Sequence, residues 1–245
     1  MHGRQKQRGV ILLTVMLLIF VAGSFVMLKA LNVAANNRTE DPDAATYLAL
    51  KQAKQMLITY AVNTPALTPA GLVPGQLPCP DMNGDGAAAG TCSLGGANAM
   101  TGRLPYRELM GDEIVDGSGA PLWYSLDEAY RYHLATVAIN SDTPNVLTVD
   151  APSDIVAVII APGALVGTQD RDNSPDITDF LEGENATLGD AEFTLADPGI
   201  TFNDTVITVT RAEMMAAVER RVLAEATNAL NAYYRLYGGY PWASA

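Results

Sequence analysis

Nineteen consecutive residues from Val10 to Leu28, VILLTVMLLIFVAGSFVML, contain no charged side chain. At about 1.5 Å per residue such a run covers roughly 28 Å as a helix, close to the ~30 Å hydrocarbon thickness of a bilayer. Inside hydrocarbon only a helix satisfies every backbone group within a single segment, so the run predicts one helical span. Arg4, Lys6 and Arg8 stand just before it, and the positive-inside rule then places the N-terminus in the cytoplasm and the remaining residues outside.

Those remaining residues suit one ordinary domain. The chain carries a net charge of -12, and with the leader cations on the cytoplasmic side the rest is more acidic still. Such a surface repels phosphate backbones and argues against a nucleic-acid groove, while it suits cations or a basic partner. Good helix formers continue past Leu28, interrupted at Pro42. Either Thr39 or Asp41 caps a new start with Pro42 in its first turn, or Pro42 kinks one helix running from Val10 to about Val62. Tyr47, Leu50, Lys54, Leu57, Ile58 and Ala61 recur at helical spacing and mark the face that packs on a core.

Residues 63 to 120 change in character. Their Pro, Gly and Ala content predicts irregular structure. Both cysteines of the chain, Cys79 and Cys92, fall here. In an oxidising compartment a pair this close reads as a disulfide, whose loop closure contributes roughly 3 kcal/mol. Between them, Asp81, Asn83 and Asp85 with Gly86 match the first half of a calcium loop, in which alternate oxygen-bearing side chains face one hard cation. The second half fails, because Cys92 stands where a bidentate glutamate belongs. Calcium would need other oxygens, and an Asx-turn stretch that binds nothing explains the same residues. Farther on, Leu122 to Leu126 predicts a strand with Trp123 and Tyr124 buried. Asp154 to Ala161 predicts a central strand covered on both faces, and Thr205 to Thr210 a third strand. Gly167 to Asp204 is a long acidic stretch holding Asp170, Asp172, Asn173, Asp176 and Asp179, read as a solvated loop or a second cation loop. Arg211 to Tyr237 predicts an amphipathic helix. Its Leu230-Asn231-Ala232-Tyr233 echoes Leu57-Ile58-Thr59-Tyr60, so it reads as the start of a second head-like repeat or as a cap on the first domain.

The leader MHGRQKQRG ends in Gly9, the apolar run begins at Val10, and no A-x-A site follows it. This layout resembles the class III signal of type IV pilins and type II secretion pseudopilins. The resemblance implies cleavage after Gly9 by a prepilin peptidase and methylation of Val10. The family usually carries a glutamate at the fifth mature position, where this chain has Thr14; that departure resembles the large pseudopilin of the pilus tip. Asp116 followed by GSGAPLWYSL resembles the D-x-W-G-N-P-x-x-Y turn of pseudopilin heads, with Gly119, Pro121 and Tyr124 in place, Trp displaced and Ala120 replacing Asn.

The resemblance implies an α+β protein with a long N-terminal transmembrane helix packed against a periplasmic head with a small antiparallel sheet. The divisions are a leader at 1–9, a transmembrane part at 10–31, a periplasmic half of the helix at 32–62, a disulfide-bearing head at 63–210 and a C-terminal helix at 211–245. It further implies a bacterial inner-membrane location and three kinds of partner: other pilin-like subunits, the prepilin peptidase and an inner-membrane assembly platform. No G-x-S-x-G elbow, H-E-x-x-H, P-loop or dinucleotide fingerprint occurs, and beyond the leader His133 is the only histidine. The reading is therefore a non-enzymatic subunit, possible calcium being its one cofactor. The alternative is an uncleaved, signal-anchored periplasmic binding or scaffold protein.

Overall fold

The computed structural model describes residues 41–67, 73–90, 99–131, 139–172, 174, 176–195 and 199–241. Helix α1 runs Pro42–Leu67. Pro42 opens it, since a missing N–H costs nothing where helical N–H groups lack partners anyway. Helix α2, Arg211–Tyr237, begins where the Thr210 hydroxyl accepts the Glu213 N–H. It ends at Gly238, whose φ of 69° lets its N–H reach back to the Tyr234 carbonyl.

Among the described residues six strands form one curled sheet: β1 (Ala99–Arg103), β2 (Trp123–Asp127), β3 (Leu147–Val149), β4 (Ala151–Ala161), β5 (Glu192–Phe193) and β6 (Thr205–Thr210). The long strand β4 is its spine. On one edge β4 pairs with β2, which in turn carries β1, and then with β3; on the other it pairs with β6. These ladders are antiparallel, and β5 adds to β3 in parallel. Val156 to Ala161 are fully buried, as expected of a β-branched run covered on both faces.

Alternation along the strands divides the core in two. On one face Tyr124, Ala157, Ile159 and Val209 meet Leu50, Ala53, Leu57 and Ala61 of α1 and Met214 of α2. On the other, Trp123, Val158 and Ile160 are covered by Ile177, Phe180 and Leu181 from the acidic stretch. The buried stripe of α1 thus includes Ala49 and Ala53, while Tyr47 is exposed and Lys54 turns aside to pair with Glu213 of α2 at 2.7 Å.

Three expectations about the fold are corrected. A long transmembrane helix packed on a head is not found: among the described residues no helix is long and apolar enough to cross a membrane. Helix α1 begins at Pro42, and Lys51, Gln52, Lys54 and Gln55 interrupt its apolar residues near the middle. Residues 1–40, which hold Gly9, Val10 and the apolar run, lie outside the described residues. The sheet is also neither small nor purely antiparallel, because β1 and β5 extend it and β5 runs parallel to β3. The acidic stretch is an ordered cover for the second face rather than a solvated loop, since Phe180 and Leu181 bury area that its carboxylates leave free.

Candidate functional site

The Asp81 loop is built around one carboxylate. Asp81 is buried, and backbone hydrogen bonds in both directions with Arg103, of 2.9 and 2.8 Å, fasten it to β1. Its Oδ1 accepts the N–H groups of Asn83 (3.0 Å) and Gly84 (2.8 Å), and its Oδ2 accepts that of Gly86 (2.7 Å). Asn83 and Asp85 are exposed and bond each other, Asn83 Nδ2 donating to Asp85 Oδ2 at 3.1 Å. The Ala87 N–H and this Asn83 amide hold the Asp85 carboxyl below its usual range. Gly86, at φ +83°, lies flat against Tyr106, where a Cβ would stand 2.3 Å from the ring.

Three backbone N–H groups take three of the roughly four lone-pair sites of the Asp81 carboxylate, and Oδ2 keeps one. The alternation of Asp81, Asn83 and Asp85 serves successive Asx turns. Among the described residues no group of three or more His, Cys, Asp or Glu side chains converges as a metal site. Cys79, buried two residues before the loop, is disulfide-bonded; Cys92 lies outside the described residues.

The same device recurs. Buried Asp116 accepts N–H groups from Ser118 (2.8 Å) and Ala120 (2.9 Å) through Oδ1, and from Gly163 (2.8 Å) through Oδ2, tying its turn to the exit of β4. Asp127 accepts from Ala129 at 2.9 Å and from Val146 at 2.6 Å; burial raises its carboxyl above the ordinary value. In the acidic stretch, Asp170 accepts the Asp172 N–H (3.1 Å), Asp176 that of Thr178 (3.0 Å) and Asp179 that of Asp170 (3.3 Å). Asn173 and His133 lie outside the described residues.

Sequence reasoning missed a strongly perturbed carboxyl, which sits where the acidic stretch folds under itself. Glu182 and Asp204 are both buried. Asp204 Oδ2 accepts the Glu182 N–H and the Asn185 amide, each at 3.0 Å, while its Oδ1 has no donor. Glu182 accepts from Gln169 Nε2 (2.6 Å) and the Asn203 N–H (3.0 Å). Burial foremost, with the Glu182 carboxyl alongside, pushes Asp204 up to about 8. Arg171 lies within electrostatic reach of both. Its guanidinium is spent on carbonyls: Nε donates to Asp179 at 3.0 Å and Nη1 to Gly163 at 2.7 Å. No spacing signal marks this pair, because twenty-two residues separate its members.

Between the Asp81 loop and the acidic stretch lies a cleft of about 340 Å³, lined by Thr101, Arg103, Trp123, Ile177 and Leu188. Arg103 spans it, Nη2 donating to the Ser174 carbonyl at 3.1 Å with its guanidinium 5.1 Å from the Phe180 ring centre. Trp123 packs on the same ring at 5.4 Å, and its indole N–H has no partner among the described residues. The residues that converge here and in the Asp turns fasten backbone to backbone. No protein-family model, curated protein or solved structure matches the chain.

Proposed function

We propose that this chain is a non-enzymatic pilin-like structural subunit, a minor pilin or pseudopilin of a type II secretion pseudopilus or type IV pilus. Residues 10–28 hold it in the bacterial inner membrane, and the domain from Pro42 onward is its periplasmic head. The observation that carries this reading is the junction of the basic leader ending in Gly9 with the uncharged run beginning at Val10, with no small-residue cleavage site after that run.

Two features of the head support it. Helix α1 lies with an apolar stripe across a largely antiparallel sheet, an arrangement in keeping with a pilin-like head. The buried aspartates are consumed in holding turns, which makes a stiff building block rather than a reaction centre. Thr14 favours a place at the tip or in initiation over a repeating shaft. Its partners are then other pilin-like subunits, the prepilin peptidase and the assembly platform.

The test is to express the full chain with and without a prepilin peptidase and determine its N-terminal residue by mass spectrometry. The reading expects methylated Val10 when the peptidase is active. A product that keeps Arg8 and Gly9 under those conditions overturns it and leaves a signal-anchored periplasmic protein.

A further inference from the structure

Helix α2 is buried only in its first two turns, through Met214, Met215 and Val218. From Val222 to its end at Tyr237 every residue is exposed, so about 24 Å of helix stands free of the domain. Free helices of this length are marginal in water unless an apolar face is covered. This one has such a face. Leu223, Leu230 and Tyr237 recur every seven residues along it, flanked by Ala226, Thr227, Tyr233 and Tyr234, and none is charged. The charges of the segment lie on the opposite side: Arg221 pairs with Glu225 at 2.9 Å, and Arg235 follows on the same side. Toward the domain the stripe stops at Glu219, whose carboxylate accepts from Ser141 Oγ.

We propose that this free half of α2 is a homodimer surface, pairing antiparallel with the same segment of a second copy of this chain about Leu230. The bulk along the stripe is arranged for that symmetry. With Leu230 facing itself, residues equally far on either side oppose each other. Tyr234 then meets Ala226, Tyr233 meets Thr227, and Tyr237 meets Leu223, so each ring lies over a smaller side chain. A parallel pair would set tyrosine on tyrosine at one end and alanine on alanine at the other, leaving a gap that close packing does not tolerate. A face that complements itself in this way is what a two-fold contact requires, since each protomer offers the same patch.

The area is sufficient. Tyr233, Tyr234 and Tyr237 are 39, 47 and 70% exposed, and Leu223 and Leu230 are 67 and 44% exposed. At about 200 Å² per aromatic side chain the rings present roughly 300 Å², and the leucines bring the patch to about 500 Å² per protomer. That lies at the upper end of the patches ordinary monomers leave open, and two such patches bury about 1,000 Å², the lower bound for a specific interface.

Position-specific cross-linking of the full chain in mild detergent tests this, with Cys79 and Cys92 retained. Under mild oxidation Leu230→Cys should form a covalent dimer. Leu223→Cys should not cross-link to itself but should cross-link when mixed with Tyr237→Cys, and Asn228→Cys, on the far side, should give none. All four positions are exposed, so unchanged circular dichroism and melting temperature confirm that each variant folds. Sedimentation should show the parent chain as a dimer and Leu230→Arg as a monomer. A monomeric parent, no cross-link at residue 230, self-cross-linking at residue 223, or equal cross-linking at residue 228 each overturns the proposal. Because the readout is residue-specific, association through residues 10–28 does not mimic it.

Discussion

Asp204→Asn removes the carboxyl whose charge this fold accommodates least well. The side chain is buried, one oxygen is held by the Glu182 N–H and the Asn185 amide, and the other has no donor. Its pKa stands at about 8 against an ordinary 3.8, burial being the main cause. The native state therefore keeps a proton that the unfolded chain releases above about pH 4. The stability linked to this group is fully present below about pH 4 and is lost as pH rises through about 8. Within that window each pH unit removes about 1.4 kcal/mol, or about 3 kcal/mol between roughly pH 5 and pH 7. Asparagine has the same shape, keeps the oxygen that receives both donors, and directs an N–H toward the Glu182 carboxylate at any pH. Urea unfolding of both full-length proteins across this range isolates the effect as the difference between them. The variant should gain on the parent by about 3 kcal/mol from roughly pH 5 to pH 7, and the gain should level off above about pH 8. A difference that stays constant with pH, or that grows in the opposite direction, refutes the argument.

Two further outcomes follow from the Asp81 loop and its neighbour. Asp81→Ala strands three N–H groups that had an acceptor, so urea unfolding should show a loss of about 3 kcal/mol or more. If Asp81, Asn83 and Asp85 hold calcium, calcium should raise the melting temperature of the parent and not that of Asp81→Ala, and no calcium-dependent shift leaves only the turns. Mass spectrometry without reductant should find no alkylatable thiol, since Cys79 is bridged, and reduction should cost about 3 kcal/mol of stability; free thiols would contradict the bridge.

Several elements were legible because their patterns are local. The run from Asp154 to Ala161 announced a strand buried on both faces, Thr205 to Thr210 a further strand, and Arg211 to Tyr237 a helix. Strand β1 was not legible. Its sequence, AMTGR, has one β-branched residue and a glycine, and it becomes a strand because β2 offers a ladder on one side and Asp81 a bridge on the other. Gly102 belongs there because the Asp81 carbonyl lies 2.7 Å from where its Cβ would be.

The acidic residues show where the boundary falls. An acidic composition alone suits an outward surface or a cation site, and alternation of Asp81, Asn83 and Asp85 suits calcium as well as turns. Which of these holds depends on where the backbone N–H groups point, and that is set by the loop's attachment to β1. Likewise, a pairing of Glu182 with Asp204 exists only once the stretch between them folds over Trp123 and Phe180. The sequence by itself determined the elements whose stabilisation is periodic and near in the chain: the uncharged run, the core strand and the amphipathic helices. Tertiary structure alone decided the sheet's edges, the inward turn of the carboxylates and the bare half of α2. Each of those depends on groups brought together across the chain, and no local spacing records such a meeting.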